Sequence, residues 1–388
     1  MRTAVPQGFA DTVEPMRKAH EHLLAALQER GIGVEEYPCL PRGAPEGVAA
    51  ARAYPIQGIL KYHGLADWRW RTAYLPSISV NNDAAYTITL VEFSPALAAD
   101  EVWINGQMAQ GRERERVIQL LDLVRRMAKV SSRARVFSKN VVRGGKAGKG
   151  LGTSASASAA LAMAALAAVF GPQMAQNKRL LSCTARLLAG SGARSAVGGV
   201  ALWLSYPGVP HEESFAVRLD ERGQLSDLRL LTVPLDSRIG LKTEVAHRDA
   251  PKSSLFKCWM YGREAEVLEC LEAVQQGDWR TVAQLAELDS IRLHGITMSG
   301  SRENKVFAWE PENILLFRLC NELRAEGVPV YFSTDTGPTT VFLTHWENEE
   351  HVVQAIDSLG LGVEVIRGRI AGPATLVEVS QAREELNL

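Results

Sequence analysis

A glycine-rich stretch from Gly144 to Ala157, with the sequence GGKAGKGLGTSASA, is the part of the chain best suited to bind an anion. Its glycines can adopt positive φ angles and let a ligand approach the backbone closely. The small helix-forming residues that follow predict a helix whose N-terminus directs free N–H groups and the positive end of the helix dipole at one point. The spacing is not that of the Walker loop. Taken by itself, the stretch fits either a phosphate site or a flexible loop before a buried packing helix.

Three charged residues elsewhere could complete a site, although each also has a purely structural interpretation. Arg194 follows two glycines near a predicted helix end, where its guanidinium could bind a carboxylate or phosphate through two hydrogen bonds or simply cap the helix. Asp335 precedes a Gly-Pro pair and could be a catalytic carboxylate or an ordinary turn residue. Lys61 ends an apolar segment and could be a site cation or a charge that reaches solvent.

The elements that must position these residues alternate between helices and strands. Helical periodicity predicts helices at 12–30, 112–130, 178–189, 254–275, 279–295, 312–326 and 349–358. Extended patterns predict strands at 53–62, 78–93, 101–110, 134–142, 199–205, 214–219, 228–233, 239–246, 328–333, 339–344 and 362–370. The strand at 134–142 runs directly into the glycine-rich stretch, which therefore lies between a strand and a helix. Helices over sheets of mostly antiparallel strands predict an α+β fold.

Composition and charge restrict the possible functions. The 388 residues carry a net charge of −1, so no broad field attracts nucleic acid or an anionic membrane, and any anion site must be local. The five cysteines are odd in number and lack C-x-x-C spacing, which disfavours a disulfide framework or a zinc site and favours a cytoplasmic protein. The first residues lack the apolar core of a signal peptide, and the apolar run at 155–170 is too short to span a bilayer.

Four motifs, taken together and in order, resemble the GHMP kinase superfamily and, within it, the mevalonate diphosphate decarboxylase family. The family patterns are KYWGK, GLASSA, GSxxxRS and DAGPN, and the matching segments are Lys61-Tyr62-His63-Gly64, Gly148-Lys149-Gly150-Leu151-Gly152-Thr153-Ser154-Ala155-Ser156, Ser191-Gly192-Ala193-Arg194-Ser195 and Asp335-Thr336-Gly337-Pro338. The resemblance extends from about residue 53 to about residue 371. It implies a two-domain GHMP kinase fold, with an N-terminal domain like ribosomal protein S5 domain 2 and a ferredoxin-like C-terminal domain. The predicted organisation is an N-terminal helical extension (1–45), an ATP-binding domain (46–235) and a C-terminal domain (236–388).

The resemblance also implies an ATP-dependent decarboxylation of a mevalonate phosphate. In such a reaction the 3-hydroxyl accepts the γ-phosphoryl group of ATP, and phosphate and CO2 then leave. By position, Asp335 is expected to orient or deprotonate the 3-hydroxyl, and Lys61 to favour ionised Asp335 and steady the transferring group. Arg194 is expected to be catalytic by clamping the C1 carboxylate, with Ser191 and Tyr62 as further substrate contacts.

The cofactors and partners also follow from the resemblance. The glycine-rich stretch is expected to hold the phosphates of ATP through Gly148, Gly150, Gly152, Ser154 and Ser156. Mg²⁺ is implied by the ATP chemistry, but no ligand for it can be identified in the sequence. The expected partners are a small-molecule substrate and a second copy in a homodimer, with no nucleic acid and no membrane.

The chain departs from the family at four positions, and in the diphosphate enzymes the first two help to hold the diphosphate tail. Leu65 replaces the second lysine of KYWGK, Ala189 replaces the first serine of a GSGS run, His63 replaces the tryptophan, and Ile56 followed by Gln57 replaces an early NIA asparagine. Loss of a cation and a hydroxyl is expected to weaken recognition of a second phosphate. In addition, the segment Pro55-Ile56-Gln57-Gly58 resembles the phosphomevalonate decarboxylases. These features predict mevalonate 5-phosphate as the substrate and isopentenyl phosphate, CO2, ADP and phosphate as the products.

Several alternatives stay open. The substrate could be the 5-diphosphate, with its tail held by Lys242, Lys252, Ser253 or Ser254. The protein could also be a mevalonate 3-kinase, an ATP-independent decarboxylase of a 3,5-bisphosphate, or a non-catalytic ligand sensor. Retention of Asp335 disfavours the kinase and the sensor, and the glycine-rich stretch disfavours the ATP-independent enzyme.

Overall fold

The computed structural model describes residues 3–143, 151–238, 243–301, 303 and 305–388. The helices in these ranges are α1 Ala10–Glu29, α2 Gly111–Ala128, α3 Thr153–Phe170, α4 Pro172–Ala175, α5 Lys178–Ala185, α6 Gly192–Val197, α7 Thr243–Asp249, α8 Phe256–Gln276, α9 Trp279–Ser299, α10 Pro311–Ala325, α11 Glu349–Ser358 and α12 Val379–Leu386. The strands are β1 Gly47–Ala53, β2 Ile56–Leu60, β3 Leu65–Asp67, β4 Thr72–Ala73, β5 Ser77–Asn81, β6 Ala85–Ser94, β7 Glu101–Ile104, β8 Gln107–Met108, β9 Arg133–Val142, β10 Val200–Trp203, β11 Ala216–Arg218, β12 Leu228–Val233, β13 Val330–Thr334, β14 Thr340–His345, β15 Ile366–Arg369 and β16 Thr375–Val377.

A six-stranded sheet in the order β16-β1-β6-β9-β7-β8 forms the first layer, and helix α3 packs against its strands β1 and β6. The side chains of α3 are mostly alanine, and most are buried all around the helix axis. Small side chains let the helix lie close to the sheet and to α5 and α6 at the same time. By length and composition α3 could cross a membrane, but 78% of it is buried inside the protein. The packing of the fold therefore accounts for its apolar character.

Two further sheets, each with only antiparallel pairs, share one apolar core. Their orders are β11-β10-β5-β2 and β13-β14-β12-β15. The core includes Ile59 and Leu202 from one sheet, Leu230 and Leu343 from the other, and Leu271 from α8. Because the core is continuous, the ends of β2 and β13 are held in a fixed relation, and the candidate site lies at those ends.

The helical N-terminal segment also packs on this core. Helix α1 contacts α8, and its residues Leu23 and Leu27 are buried in the same cluster. Its apolar stripe at helical spacing is covered in this way, as expected for an amphipathic helix docked on the body of a protein.

The three sheets, with mainly antiparallel neighbours, confirm the predicted α+β class. The boundaries of β12 and α11 match the predicted ranges 228–233 and 349–358. The strand predicted at 239–246 is wrong, because its described part lies in helix α7. Glu244 and Arg248 form an i, i+4 ion pair at 3.2 Å, which a helix permits and the alternating pattern did not reveal.

The division at residue 235 does not coincide with sheet membership. Strand β12 pairs with β14 and β15 in the third sheet, although it precedes the division. Strand β16 returns to pair with β1, and α12 packs on β6 and β1. We keep the division into 1–45, 46–235 and 236–388 as a proposal, in which β12 and the C-terminal tail each pair across the boundary.

Candidate active site

Lys61 enters the site because of an irregularity in β2. Every residue of β2 is buried, and its pairing with β5 shifts register between Gly58 and Leu60. A β-bulge of this kind re-aims the side chains next to it. The Lys61 side chain is consequently turned into a cavity of about 460 Å³, where the residue is only 3% exposed.

The ammonium group of Lys61 forms an ion pair with Asp335. Its Nζ atom lies 3.3 Å from Oδ1 of Asp335 and donates hydrogen bonds to the Gly58 carbonyl and the Ser333 hydroxyl. Burial lowers the pKa of Lys61, while the carboxylates of Asp335 and Asp289 oppose that shift. The Asp335 side chain is 42% exposed and also lines the cavity. A carboxylate open to the cavity is thus backed by a buried cation.

Helix α9 anchors the two chain segments that carry this pair. Asp289 Oδ2 accepts a hydrogen bond from the Lys61 N–H at 2.6 Å, and Ser290 Oγ accepts one from the last residue of β13 at 3.1 Å. His294 Nε2 donates to the Asp335 carbonyl at 2.9 Å. The distance between Lys61 and Asp335 is therefore determined by a rigid helix rather than by the loops alone.

The anchoring groups of α9 are themselves held. The buried Asp289 accepts hydrogen bonds from Trp259 Nε1 at 2.7 Å and from Arg263 Nη2 at 2.9 Å. Burial lowers the pKa of His294 to about 4, so its ring is neutral at neutral pH and can donate to a carbonyl through one nitrogen. These contacts make Asp289 and His294 structural supports of the site.

Arg194 lies on α6 and presents a buried guanidinium to the same cavity. It is 2% exposed, and it lies 5.2 Å over the ring of Tyr62 and 5.9 Å from that of Trp203. One Nη atom donates to Ser77 Oγ, but the buried Nε has no partner in the described part of the chain. Burial lowers the pKa of Arg194 to about 10, which leaves the group charged at neutral pH. A buried cation with an unused donor suits a carboxylate ligand.

The remaining predicted substrate contacts also line the cavity. Tyr62 stacks on His247 with ring centroids 5.4 Å apart and packs edge-on against Trp203 at 5.0 Å. Ser191 precedes α6 and lines the cavity beside Tyr62. Ser191, Tyr62 and Arg194 therefore form one wall, with Lys61 and Asp335 opening onto the same space.

The N-terminus of α3 borders two adjoining cavities. Gly152 has φ +67°, a left-handed conformation that favours glycine, and its carbonyl accepts the Ala155 N–H at 3.0 Å. Thr153 and Ser154 line both the larger cavity and a second one of about 210 Å³ between α2, α3 and β9. Gly148 and Gly150 lie outside the described residues.

Ser156 does not belong to this site. Its hydroxyl is buried, hydrogen-bonds to Thr87 Oγ1 at 2.6 Å and donates to the Thr153 carbonyl at 3.0 Å. Residues two apart on a helix do not share a face, so Ser154 turns to the cavity while Ser156 turns to the sheet. The prediction that Ser156 binds ATP is therefore not carried into the proposal below.

Two of the positions at which the chain departs from the family pattern, Leu65 and Ala189, line the larger cavity. Of the alternative residues for holding a diphosphate tail, Lys252 pairs with Asp249, and Ser253 is buried against Ser299 at 2.7 Å. Neither is among the residues lining the cavity, nor is Ser254, and Lys242 lies outside the described residues. At this end the cavity wall lacks the family's cation and hydroxyl, and Lys252, Ser253 and Ser254 do not replace them.

Five titratable residues of the cavity wall were not predicted: Arg71, Arg112, Arg116, Glu244 and His247. Arg112 and Arg116 lie one turn apart on the polar face of α2, and residues four apart share a face. That spacing is a signal that could have identified them as a pair of site cations. The others approach from a turn and from α7, and only the tertiary structure brings them here.

Comparison with known proteins agrees with the fold. A family model described as the diphosphomevalonate decarboxylase-like N-terminal domain matches residues 53–216. A phosphomevalonate decarboxylase from Haloferax volcanii is 34% identical over 335 residues, which cover 86% of this chain and 99% of that relative.

Among solved structures, the mevalonate diphosphate decarboxylase from Enterococcus faecalis is 27% identical, with a TM-score of 0.77 and coverage of 86% of this chain and 100% of that one. A complex of MDDEF with MVAPP, AMPPCP and magnesium has the same identity, coverage and TM-score. The fold is that of the GHMP-superfamily decarboxylases. The chain belongs to the diphosphomevalonate decarboxylase-like family. The phosphomevalonate decarboxylase from Haloferax volcanii is similar to it over most of both chains.

Proposed function

We propose that this protein catalyses the ATP-dependent decarboxylation of mevalonate 5-phosphate to isopentenyl phosphate, CO2, ADP and phosphate. The observation that carries the proposal is the Lys61–Asp335 ion pair at 3.3 Å, which opens onto the same cavity as the buried guanidinium of Arg194. An alcohol is a poor nucleophile, so its phosphorylation calls for a placed base. The tertiary 3-hydroxyl would lie at Asp335 and the C1 carboxylate at Arg194.

The residues divide the reaction between them. Asp335 accepts the proton of the 3-hydroxyl while the hydroxyl oxygen attacks the γ-phosphorus of ATP. ADP is the leaving group of this transfer. Lys61 balances the negative charge of Asp335 and of the transferring phosphoryl group. The C3–O bond then breaks with phosphate as the leaving group, the C1–C2 bond breaks to release CO2, and its electron pair becomes the C2–C3 double bond. Arg194 holds the carboxylate in line for that step.

We propose that ATP occupies the two adjoining cavities. We place its phosphates at the N-terminus of α3, beside Gly152, Thr153 and Ser154, where N–H and hydroxyl donors are available. The nucleoside end would occupy the 210 Å³ cavity, whose wall includes Ser138 and Asn140.

Magnesium would come with the ATP phosphates. In the described ranges no group of three or more His, Cys, Asp or Glu side chains is placed to hold a metal ion. That agrees with Mg²⁺, which takes most of its ligands from phosphate and water in such sites. Asp335 and the hydroxyls of Thr153 and Ser154 are hard oxygen donors at the cavity wall that suit it. Bound magnesium would neutralise phosphate charge during the transfer.

The choice of the monophosphate rests on Leu65 and Ala189. Both lie in the cavity wall, where they supply neither a cation nor a hydroxyl for a second phosphate. The 34% identical relative from Haloferax volcanii is a phosphomevalonate decarboxylase, which supports the same substrate.

The deciding experiment supplies ATP and Mg²⁺ with either mevalonate 5-phosphate or its 5-diphosphate and measures ADP and CO2 together. We expect equal amounts of ADP and CO2 from the monophosphate and little of either from the diphosphate. Turnover of the diphosphate alone would refute mevalonate 5-phosphate as the substrate. Formation of ADP without CO2 would identify the protein as a 3-kinase. Release of CO2 from a 3,5-bisphosphate but not from the monophosphate with ATP would identify the ATP-independent enzyme.

We also propose a cytoplasmic location and a homodimer. All five cysteines are free, which suits a reducing compartment. Light scattering of the purified chain tests the dimer.

A further inference from the structure

We propose that Arg71 forms the subsite for the 5-phosphate of the substrate and that Glu244 limits this subsite to a single phosphate group. The inference rests on the proposed function and names the residues that would select the ester. It is carried by the geometry of one turn, by arginines without anionic partners and by the position of one carboxylate.

The turn that carries Arg71 is held rigidly. Asp67 Oδ1 accepts hydrogen bonds from the N–H groups of Arg69 and Trp70, each at 2.8 Å, and Arg186 donates to the Trp70 carbonyl at 2.8 Å. Arg71 itself has φ +51°, a left-handed conformation that residues with a Cβ rarely adopt. Such a conformation persists where the surroundings determine it, and here it accompanies a side chain that lines the cavity.

The guanidinium of Arg71 has no hydrogen-bond or ion-pair partner in the part of the chain that the structure describes. Its pKa is lowered by burial, and Arg112 lowers it further while Tyr62 opposes the shift. Arg116 shares the situation, since burial and then Arg71 and Arg112 lower its pKa to about 10, and its buried Nε has no described partner. Cations that are desolvated together without enough anions favour binding of an anion from solution.

Arg71 and Arg194 face Tyr62 from different elements. Tyr62 follows Lys61 in the chain, lies under the guanidinium of Arg194 and interacts electrostatically with Arg71. In a bound ester, the carboxylate would contact Arg194 and the 3-hydroxyl would contact Asp335. The third polar group, the 5-phosphate, then still needs a binding partner. Arg71 is the cation in that wall with no other described partner.

The Arg116 side chain has a different assignment. It lines both the larger cavity and the 210 Å³ cavity assigned to the nucleoside, so it lies between the ester and ATP. Its Nη2 donates to the Leu188 carbonyl, which ties it to the junction of the two cavities. Arg71 lines only the larger cavity, so its anion is the ester.

Glu244 supplies the selection against a second phosphate. It pairs with Arg112, the same residue that interacts with Arg71, and it pairs with Arg248 on its own helix. Glu244 and Asp335 are the carboxylates among the described residues lining the cavity. A diphosphate extending past Arg71 would bring additional negative charge beside Glu244, and like-charge contacts are an effective means of rejecting a close analogue.

The first test measures the affinity of mevalonate 5-phosphate by calorimetry and its KM by CO2 release, for Arg71→Gln and for Arg69→Gln. Arg69 is an exposed arginine of the same turn and is the matched control. For Arg71→Gln we expect the Kd and the KM of the ester to rise at least about tenfold, with the KM of ATP unchanged, since one charge-assisted contact to phosphate is lost. Arg71→Lys should recover part of the affinity, and Arg69→Gln should match the wild type.

If Arg71→Gln leaves the Kd of the ester unchanged, or raises the KM of ATP instead, the assignment of Arg71 to the 5-phosphate subsite is wrong. A wild-type protein that binds the ester without releasing CO2 would refute the proposed reaction, while the Kd comparison between the two variants would still decide on Arg71. The thermal midpoints of the two variants show whether either substitution disturbs the fold.

The second test compares kcat/KM for the 5-diphosphate and the 5-monophosphate in Glu244→Gln. We expect the ratio of diphosphate to monophosphate to rise about tenfold, because the repelling charge is removed. Glu29→Gln, an exposed glutamate on α1 away from the cavity, is the control and should leave the ratio unchanged. A ratio in Glu244→Gln equal to that of the wild type would overturn the selective role of Glu244.

Discussion

The larger cavity has two ends whose charges are satisfied in different ways. Where α9 meets β2 and β13, Lys61 has Asp335, Gly58 and Ser333 as partners, and Asp289 has Arg263. Where α2 faces the turn between β3 and β4, Arg71 has no partner and Arg116 has only a carbonyl, within the described part of the chain. At the first end the charged groups have partners within the protein. At the second end the arginines named here have no anionic partner among the described residues, as expected of a binding site for an anion.

The first end carries the groups proposed for the chemical step, and we call it the chemistry end. The second end carries the groups proposed to bind the ester, and we call it the recognition end. The transfer of a phosphoryl group requires groups already held in position, because reorganisation would add to the barrier. Binding of a charged ester requires cations whose desolvation is compensated only when the ligand arrives. Substitutions at the first end should therefore act on kcat, and substitutions at the second end on KM and on the choice of ester.

The largest effect is expected for Asp335→Asn. This change removes the base but keeps the shape of the side chain, so kcat should fall about 10³-fold, within the range that general bases contribute. The affinity for ATP, measured by calorimetry, should stay that of the wild type. Near-normal CO2 release by this variant would remove Asp335 from the mechanism.

A smaller loss is expected for Gly58→Ala. A Cβ at this position would lie 2.7 Å from Asp335 Oδ1 and 2.8 Å from Lys61 Cδ, so the ion pair must shift. Misplaced catalytic groups can cost about 10²-fold in rate, and kcat should fall by that order. Gly262→Ala on α8, where nothing lies within 4 Å of the added carbon, is the control. Equal kcat values for the two variants would show that the close approach at Gly58 is not needed.

Stability should fall on acidification because each end of the cavity contains a buried neutral histidine. Burial lowers the pKa of His294 and of His247 to about 4 each. The unfolded chain binds these protons near pH 6.5, so the stabilisation is fully present above that pH and is lost as the pH falls towards 4. One such histidine should reduce the free energy of unfolding by about 2 kcal/mol between pH 7 and pH 5.

Urea unfolding at the two pH values measures this loss. His247→Gln should show a smaller decrease than the wild type, whereas the exposed His351→Gln should not differ from it. Equal decreases in the wild type and in His247→Gln would contradict the assignment of a buried neutral ring at the recognition end.

The smallest effect is expected when Leu65→Lys and Ala189→Ser are combined. The pair restores the cation and the hydroxyl of the family pattern at the recognition end, and the ratio of kcat/KM for the diphosphate to that for the monophosphate should rise several-fold, up to about tenfold. Glu244 is retained in this variant, which keeps the gain small. If the variant lowers kcat for both esters equally, the two positions act on the chemistry and the contrast between the two ends fails.

Much of the chemistry end could be predicted from the chain alone. Lys61, Arg194 and Asp335 each lie in short local motifs, and local order is what a sequence pattern describes. Helical spacing, by contrast, separates Ser154 from Ser156, because residues two apart on a helix face different ways. Neither Gly148 nor Gly150 lies in the described residues, so their role in binding ATP stays a prediction.

The recognition end could not be predicted in the same way. Arg71 comes from a turn, Arg112 from α2 and Glu244 from α7, and no spacing along the chain relates them. The segment at 239–246 was even expected to be a strand, because an alternating pattern over a few residues does not distinguish a strand from a short helix.

The sequence by itself determined the α+β class, the resemblance to a decarboxylase family and the candidate residues proposed for the chemical step, since these depend on local periodicity and on contiguous motifs. Only the tertiary structure decided that Lys61 is 3.3 Å from Asp335, that α9 holds both, and that three arginines and a glutamate meet at one end of the cavity. The physical reason is that charges far apart in the chain interact through space, over distances that only packing of the core determines.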